Sequence, residues 1–239
     1  MTRRRWIADE VSGNHAAVTG PHAGHLVRVL RARVGQEFDI ATGAGVRRGQ
    51  ITSIDPDKDR VEFELGEEVP VTPLPHVTIA LSIFKFDRME WAIEKCTELG
   101  VAGIVPVIAR RTEAHLAAAA GKRVERWERI VRQASEQSRR ATPPEVSQPM
   151  KLKDAVGLAG STRIVLAENE RDYSLRDALV SHVSGAEIVL AVGPEGGWTK
   201  DEEELFREAN WTMASLGGTI LRAETAAIAG LAVVMAEVQ

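Results

Sequence analysis

The chain has 239 residues, 44% of them hydrophobic and 27% charged, with a formal net charge of −4 at neutral pH. That supports a real core in one large domain or two smaller ones, and it argues against a generic polyanion binder. The single cysteine, Cys96, excludes an internal disulfide framework and any paired-cysteine metal site. No apolar run approaches the ~20 residues of a membrane helix. The opening Met-Thr-Arg-Arg-Arg-Trp has no apolar core behind its charges, so it does not read as a secretory signal, and the cytoplasm is the expected location.

Charge is unevenly spread. Residues 1–50 hold eight Lys/Arg against four Asp/Glu, whereas residues 51–70 hold two against seven. A local basic face can therefore serve RNA within an acidic chain. Residues 1–70 read as a small, mostly β unit. Glu37–Ile40, Gln50–Ile54 and Arg60–Leu65 alternate apolar and polar residues as half-buried strands do, with turn signals between them. Ahead of them, Leu26, Val29 and Leu30 predict a helix from Pro21 to Val34 that carries Arg28 and Arg31. These arginines are candidate phosphate contacts, although a solvated helix face accounts for them equally. Its histidines lack a third partner, so no metal is expected.

Three prolines in Val69–Pro75 mark a stiff linker and the expected boundary between a domain at 1–70 and another at 76–239. Beyond it, strands alternate with helices, the pattern of an α/β domain. Val77–Ile83 is an apolar strand leading through Lys85 into a helix with Met89, Ile93, Cys96 and Leu99 on one face. Cys96 on that face reads as a buried structural thiol. Lys85 is either an RNA or cofactor contact or a solvated loop lysine. Lys122–Arg140 is expected as one long amphipathic helix ending in Gln137, Arg139 and Arg140 before Pro143-Pro144. These three can present donors to phosphate or base edges, or can pair with Glu136. Arg163–Ala167 is a buried strand with Glu168 at its carboxyl end.

The rest is organised around residues 188–226. Ile188–Val192 is a short apolar strand ending in Gly193-Pro194-Glu195-Gly196-Gly197. Thr199 and Glu202 have capping-box spacing and open an acidic helix. The acidic start and the missing Gly-Lys-Ser/Thr ending count against a nucleotide-triphosphate loop. A second run, Thr212–Leu216, ends at Gly217-Gly218 before Ile220-Leu221-Arg222-Ala223-Glu224-Thr225-Ala226. One such glycine loop is an ordinary connection; two in succession are a far more specific signal. The final helix, from about Glu224, is apolar nearly all round, which core burial or a dimer interface would satisfy.

GPEGG followed by LGGTILRAETA resembles the paired C-terminal signatures of the SPOUT methyltransferases, and within them the RsmE family. The segments KFDRMEWAIEKCTELGV and EQSRR are similar to that family as well. Where relatives carry a small residue before one arginine, this chain has Arg139-Arg140, so both are carried forward. The resemblance implies a PUA-like β-barrel ahead of an α/β domain with a C-terminal trefoil knot. It implies S-adenosylmethionine as cofactor, and N3 of a uridine in 16S rRNA as acceptor, within a 30S subunit or an assembly intermediate. It also implies a homodimer. Carried onto this chain, the cofactor-binding residues are Leu166, Ala167, Glu168, Gly193, Pro194, Glu195, Gly196, Gly197, Leu216, Gly217, Ile220, Leu221, Arg222, Thr225 and Ala226. For the chemistry, Arg222 is the candidate stabiliser of the deprotonated uracil, and Glu195 and Glu224 are candidate proton acceptors. Two readings stand beside this one: a SPOUT enzyme acting on tRNA or on a ribose hydroxyl, and a noncatalytic assembly factor on the same scaffold.

Overall fold

The computed structural model describes residues 5–180, 183 and 185–238. The chain divides into two compact units, Met1–Pro73 with Ser135–Pro143, and Leu74–Ala134 with Pro144–Gln239.

In the first unit, β1 (Arg5–Ile7), β2 (Glu10–Ser12), β3 (His15–Thr19), β4 (Glu37–Ala41), β5 (Val46–Asp55) and β6 (Arg60–Glu68) form one sheet in the order β1-β4-β5-β6-β3-β2. Its two edge strands, β1 and β2, are joined by Ala8 and Asp9 alone. Laid flat, six strands would separate those edges by ~24 Å, whereas the link spans at most ~10 Å. The sheet must therefore roll up as a barrel does. Its interior holds Trp6, Leu26, Ile40, Ile51, Val61 and Phe63.

The helix expected over 21–34 is shorter than its apolar spacing suggests. α1 (Gly20–Gly24) passes into a π-helical turn, His25–Val29, and the chain breaks at Arg31, whose φ is +52°. Leu26 alone of the three spaced apolar residues is buried; Val29 and Leu30 are exposed. The regular spacing was therefore not a core stripe. β1, β2 and β3 gave no clear alternation, because they are short and β2 is exposed throughout.

The second unit is a parallel sheet with helices on both faces. Its elements are β7 (Val77–Ser82), α2 (Phe86–Leu99), β8 (Gly103–Ile108), α3 (Ala114–Ala119), α4 (Val124–Gln137, whose last three residues fall in the first unit), β9 (Glu145–Val146), β10 (Met150–Lys151), α5 (Leu152–Ala155), β11 (Thr162–Leu166), α6 (Leu175–Leu179), β12 (Ile188–Val192), α7 (Lys200–Glu208), β13 (Thr212–Ala214) and α8 (Ala223–Val238). The strand order is β10-β8-β7-β12-β11-β13, with β9 also on β8. Every residue of β12 is buried, as a central parallel strand requires. Val77, Ile79, Leu190 and Leu231 pack on one face of the sheet, and Ala80, Val165, Val189 and Phe206 on the other.

Helix ends follow local chemistry. Gly100, at φ +103°, closes α2 by bonding the Cys96 and Thr97 carbonyls. Residues Lys122–Arg140 do not form one helix. Ala120–Arg123 is a 3-10 turn, and α4 stops at Gln137. Arg139 adopts φ +60° and Arg140 N donates to Ser135 O, a six-to-one closure that glycine ordinarily makes. An arginine there gives no warning of the stop. β13 likewise ends at Ala214, ahead of the expected Leu216, because Ser215 bridges instead to Ser174.

α8 reaches the sheet through Gly230. A Cβ there would stand 3.0 Å from Leu166 Cδ1 and 3.2 Å from Leu190 Cδ2, so glycine is what permits the close approach. Among the described residues no helix is long and apolar enough to cross a membrane.

Candidate functional site

A cavity of about 780 Å3 opens where β11, β12 and β13 end, inside the second unit. Carboxyl ends of parallel strands are where open α/β sheets take their ligands, because the following loops and helix N-termini converge there. Leu166, Ala167 and Glu168 follow β11 into the cavity wall. Gly193, Pro194, Gly196 and Gly197 follow β12. Leu216, Gly217, Ile220, Leu221 and Ala226 complete it from the third loop and α8. Gly197 and Gly217 have φ of +67° and +114°, conformations that L side chains rarely adopt.

The first glycine loop is fixed from three directions. Trp198 Nε1 donates to Leu166 O at 2.9 Å, and the indole stacks edge-on against Phe206. Arg111 Nη1 donates to the carbonyls of Gly196 and Trp198. Glu202, almost wholly buried, accepts through Oε2 from Thr199 N and through Oε1 from Arg110 N at 2.6 Å. That carboxylate completes the capping box of α7 and also holds the turn after β8.

The cavity's polar wall is mixed in charge. Glu168, Glu170 and Glu203 share it with Arg111, Arg171 and Lys200. Asn169 Nδ2 donates to Glu203 Oε1 at 3.2 Å, which fixes one of the carboxylates. Arg111 and Trp198 were not singled out from sequence. A cation after a strand and an indole after a glycine loop carry no local mark of their partners.

Three of the cofactor-binding residues carried over from the resemblance, Glu195, Arg222 and Thr225, do not line the cavity. Arg222 is exposed between two wall residues, Leu221 and Ala223, and forms no ion pair among the described residues. Glu195 Oε1 accepts from Arg88 Nη1 at 3.0 Å. Glu224 also lies off the cavity wall; its buried side chain has Oε1 3.9 Å from Arg88 Nε. Arg88 thus joins the residues that sequence reasoning passed over.

The candidate RNA contacts fall in both units. Lys85, exposed at the N-cap of α2, belongs to the second. Arg28, Arg31, Gln137, Arg139 and Arg140 belong to the first. Arg28 is paired with Asp59 at 2.8 Å, while Arg31, Gln137 and Arg139 are exposed. Arg140 is partly buried, and desolvation lowers its guanidinium to about 10, still protonated at neutral pH.

Fold and cavity together define an α/β ligand-binding protein whose site lies at the strand ends, and the comparisons make it an RNA methyltransferase. Residues 71–235 match the family described as RNA methyltransferase domain, and residues 18–65 match the PUA domain of RNA methyltransferases. The chain belongs to the ribosomal RNA small subunit methyltransferase E family. It is 33% identical to that protein of Rickettsia conorii over 88% of this chain and 85% of the relative, and 31% identical to that of Bacillus subtilis over 91% and 88%. The structure of ribosomal RNA small subunit methyltransferase E from Neisseria gonorrhoeae, bound to S-adenosyl methionine, superposes with a TM-score of 0.85. It is 34% identical, and the match covers 98% of this chain and 97% of that one.

Proposed function

We propose that this protein is an S-adenosylmethionine-dependent methyltransferase acting on N3 of a uridine in 16S ribosomal RNA. The observation that carries the reading is the cavity at the ends of β11, β12 and β13, walled by both glycine loops. Its residues fit the cofactor's chemistry. Leu166, Leu216 and Leu221 offer an apolar wall to an adenine ring, and exposed loop backbone can read its edge. The mixed carboxylates and cations suit a group that carries ammonium, carboxylate and sulfonium together. Bound there, the cofactor supplies an electrophilic methyl on a sulfonium, which leaves as a neutral thioether without a metal.

The protein's task is to activate the acceptor. Uracil N3 carries a proton; once that proton has passed to solvent water, the anion left behind spreads onto O2 and O4. Arg222, exposed beside the cavity wall and without an ion pair among the described residues, is assigned to stabilise that anion, as an oxyanion-hole donor does. The first unit, with Arg28, Arg31, Gln137, Arg139 and Arg140, and Lys85 of the second are assigned to the RNA backbone within a 30S particle.

The same reading carries a C-terminal trefoil knot. Its support is that β13 pairs with β11 on one side, while Ser215 bonds Tyr173 and Leu175, from the segment leaving β11, on the other. It also carries a homodimer, supported by the half-exposed apolar residues Ile228, Ala229 and Val233 of α8 and by Trp91 of α2, 49% exposed. Light scattering on the purified protein tests the dimer.

The function is tested by incubating purified protein with S-adenosylmethionine and 30S subunits from cells lacking the gene. Appearance of 3-methyluridine in 16S rRNA is expected. Methyl transfer to tRNA or to a ribose hydroxyl instead would overturn the assignment.

A further inference from the structure

Arg88 lies in the first turn of α2, and its guanidinium reaches carboxylates from two distant parts of the chain. Nη1 donates to Glu195 in the first glycine loop, and Nε lies 3.9 Å from Glu224, which opens α8 just after the second loop. The Glu224 side chain is 7% exposed, and its Oε2 accepts no hydrogen bond among the described residues. A side chain so buried is costly without a polar partner, and the Arg88 guanidinium stands beside it.

Neither carboxylate lines the cavity, but Pro194 and Gly196 on either side of Glu195 do, as does Ala223 beside Glu224. Any influence of the pair on a bound ligand therefore passes through the loop backbone. We propose that Arg88 is a positioning residue that ties the two glycine loops into one preorganised wall, with Glu195 and Glu224 as its anchors, not as proton acceptors. This rests on the reading of the cavity as the cofactor site.

The physical case is one of rigidity. Glycine loops have many conformations to lose on binding, and a contact that fixes them beforehand lowers that cost. Arg88 is itself held on a helix whose Met89, Ala92 and Ile93 are buried in the core. The anchor at Glu195 is the stronger contact by distance; the one at Glu224 matters because that carboxylate has little exposure to water to fall back on.

The test compares wild type, Arg88→Gln, Arg88→Lys, Glu224→Gln and the double variant Arg88→Gln/Glu224→Gln as full-length proteins. S-adenosylmethionine affinity is measured by calorimetry, unfolding by thermal melting, and methyl transfer to 30S subunits in single turnover at saturating cofactor. Arg88→Gln is expected to weaken cofactor binding about tenfold, with Arg88→Lys in between. The double variant should recover part of the loss, since it no longer strands a buried charge. Glu224→Gln should also bind the cofactor more weakly, by a smaller factor than Arg88→Gln. Should Arg88→Gln not fold, Arg88→Lys and Glu224→Gln make the same comparison.

Unchanged affinity in the Arg88 variants, with only melting lowered, would overturn the proposal in favour of a purely structural pair. A collapsed saturated rate in Glu224→Gln at unchanged affinity would overturn it in favour of a proton acceptor. Absence of binding by the wild type would bring down the cofactor reading itself, and the proposal with it.

Discussion

The indole Nε1 of Trp198 donates to the carbonyl oxygen of Leu166 across 2.9 Å of buried space. That one bond joins the residue after the first glycine loop to the last residue of β11, so it sets the distance between two sides of the cavity. Trp198→Phe keeps most of the ring and removes the donor, leaving a buried carbonyl unsatisfied. The expected cost is about 1–3 kcal/mol, with weaker binding of S-adenosylmethionine. Chemical denaturation and calorimetry on the same preparation check both.

Gly217 tests the backbone alone. Its φ is +114° and a Cβ would meet nothing within 4 Å, so substitution adds strain without a clash. Gly217→Ala is expected to lose more than the ~1 kcal/mol by which alanine otherwise gains on glycine. The loss should appear in cofactor affinity, because the loop lines the cavity. Equal affinity in variant and wild type would show that the loop readily takes another conformation.

Glu202 serves two elements at once, the N-terminus of α7 and the turn after β8. Glu202→Ala should therefore cost more than loss of an exposed cap, about 2–3 kcal/mol against ~1 for Thr199→Ala. Urea unfolding of the two variants, side by side, measures the difference.

Cys96 is fully buried on α2, and burial raises its thiol from about 9 to about 12. The folded state then holds the thiol proton that the unfolded chain releases above that ordinary value of about 9. This contribution to stability is complete below that value and is lost as pH rises toward the folded one. Between about pH 9 and 12 the wild type should lose stability more steeply than Cys96→Ala. A thiol reagent should react with Cys96 only on unfolding. Reaction at the rate of a free thiol in the native protein would contradict that burial.

Much of this was legible in the sequence, for identifiable reasons. Buried parallel strands such as Ile188–Val192 are runs of β-branched and aliphatic residues, and little else produces such runs. The capping box at Thr199 with Glu202 is formed as its spacing indicates, since one short polar side chain and one acid suffice. Helix stops were less legible. Arg31 and Arg139 take left-handed conformations without being glycine, so the residue type gives no sign of the break. Arg88 and Arg111 were illegible for another reason. An arginine becomes a clasp only when folding brings it to Glu195 or to the Gly196 carbonyl, and those partners lie 107 and 85 residues away in sequence.

Arg222 carries the central chemical claim, and nucleoside mass spectrometry of 16S rRNA tests it most directly. Cells lacking the gene are compared with the same cells carrying wild type or Arg222→Ala on a plasmid. The account predicts loss of 3-methyluridine, restored by wild type and not by Arg222→Ala, although the variant still binds S-adenosylmethionine. Unchanged 3-methyluridine in the cells lacking the gene would contradict the substrate. Full restoration by Arg222→Ala would contradict the role given to that arginine.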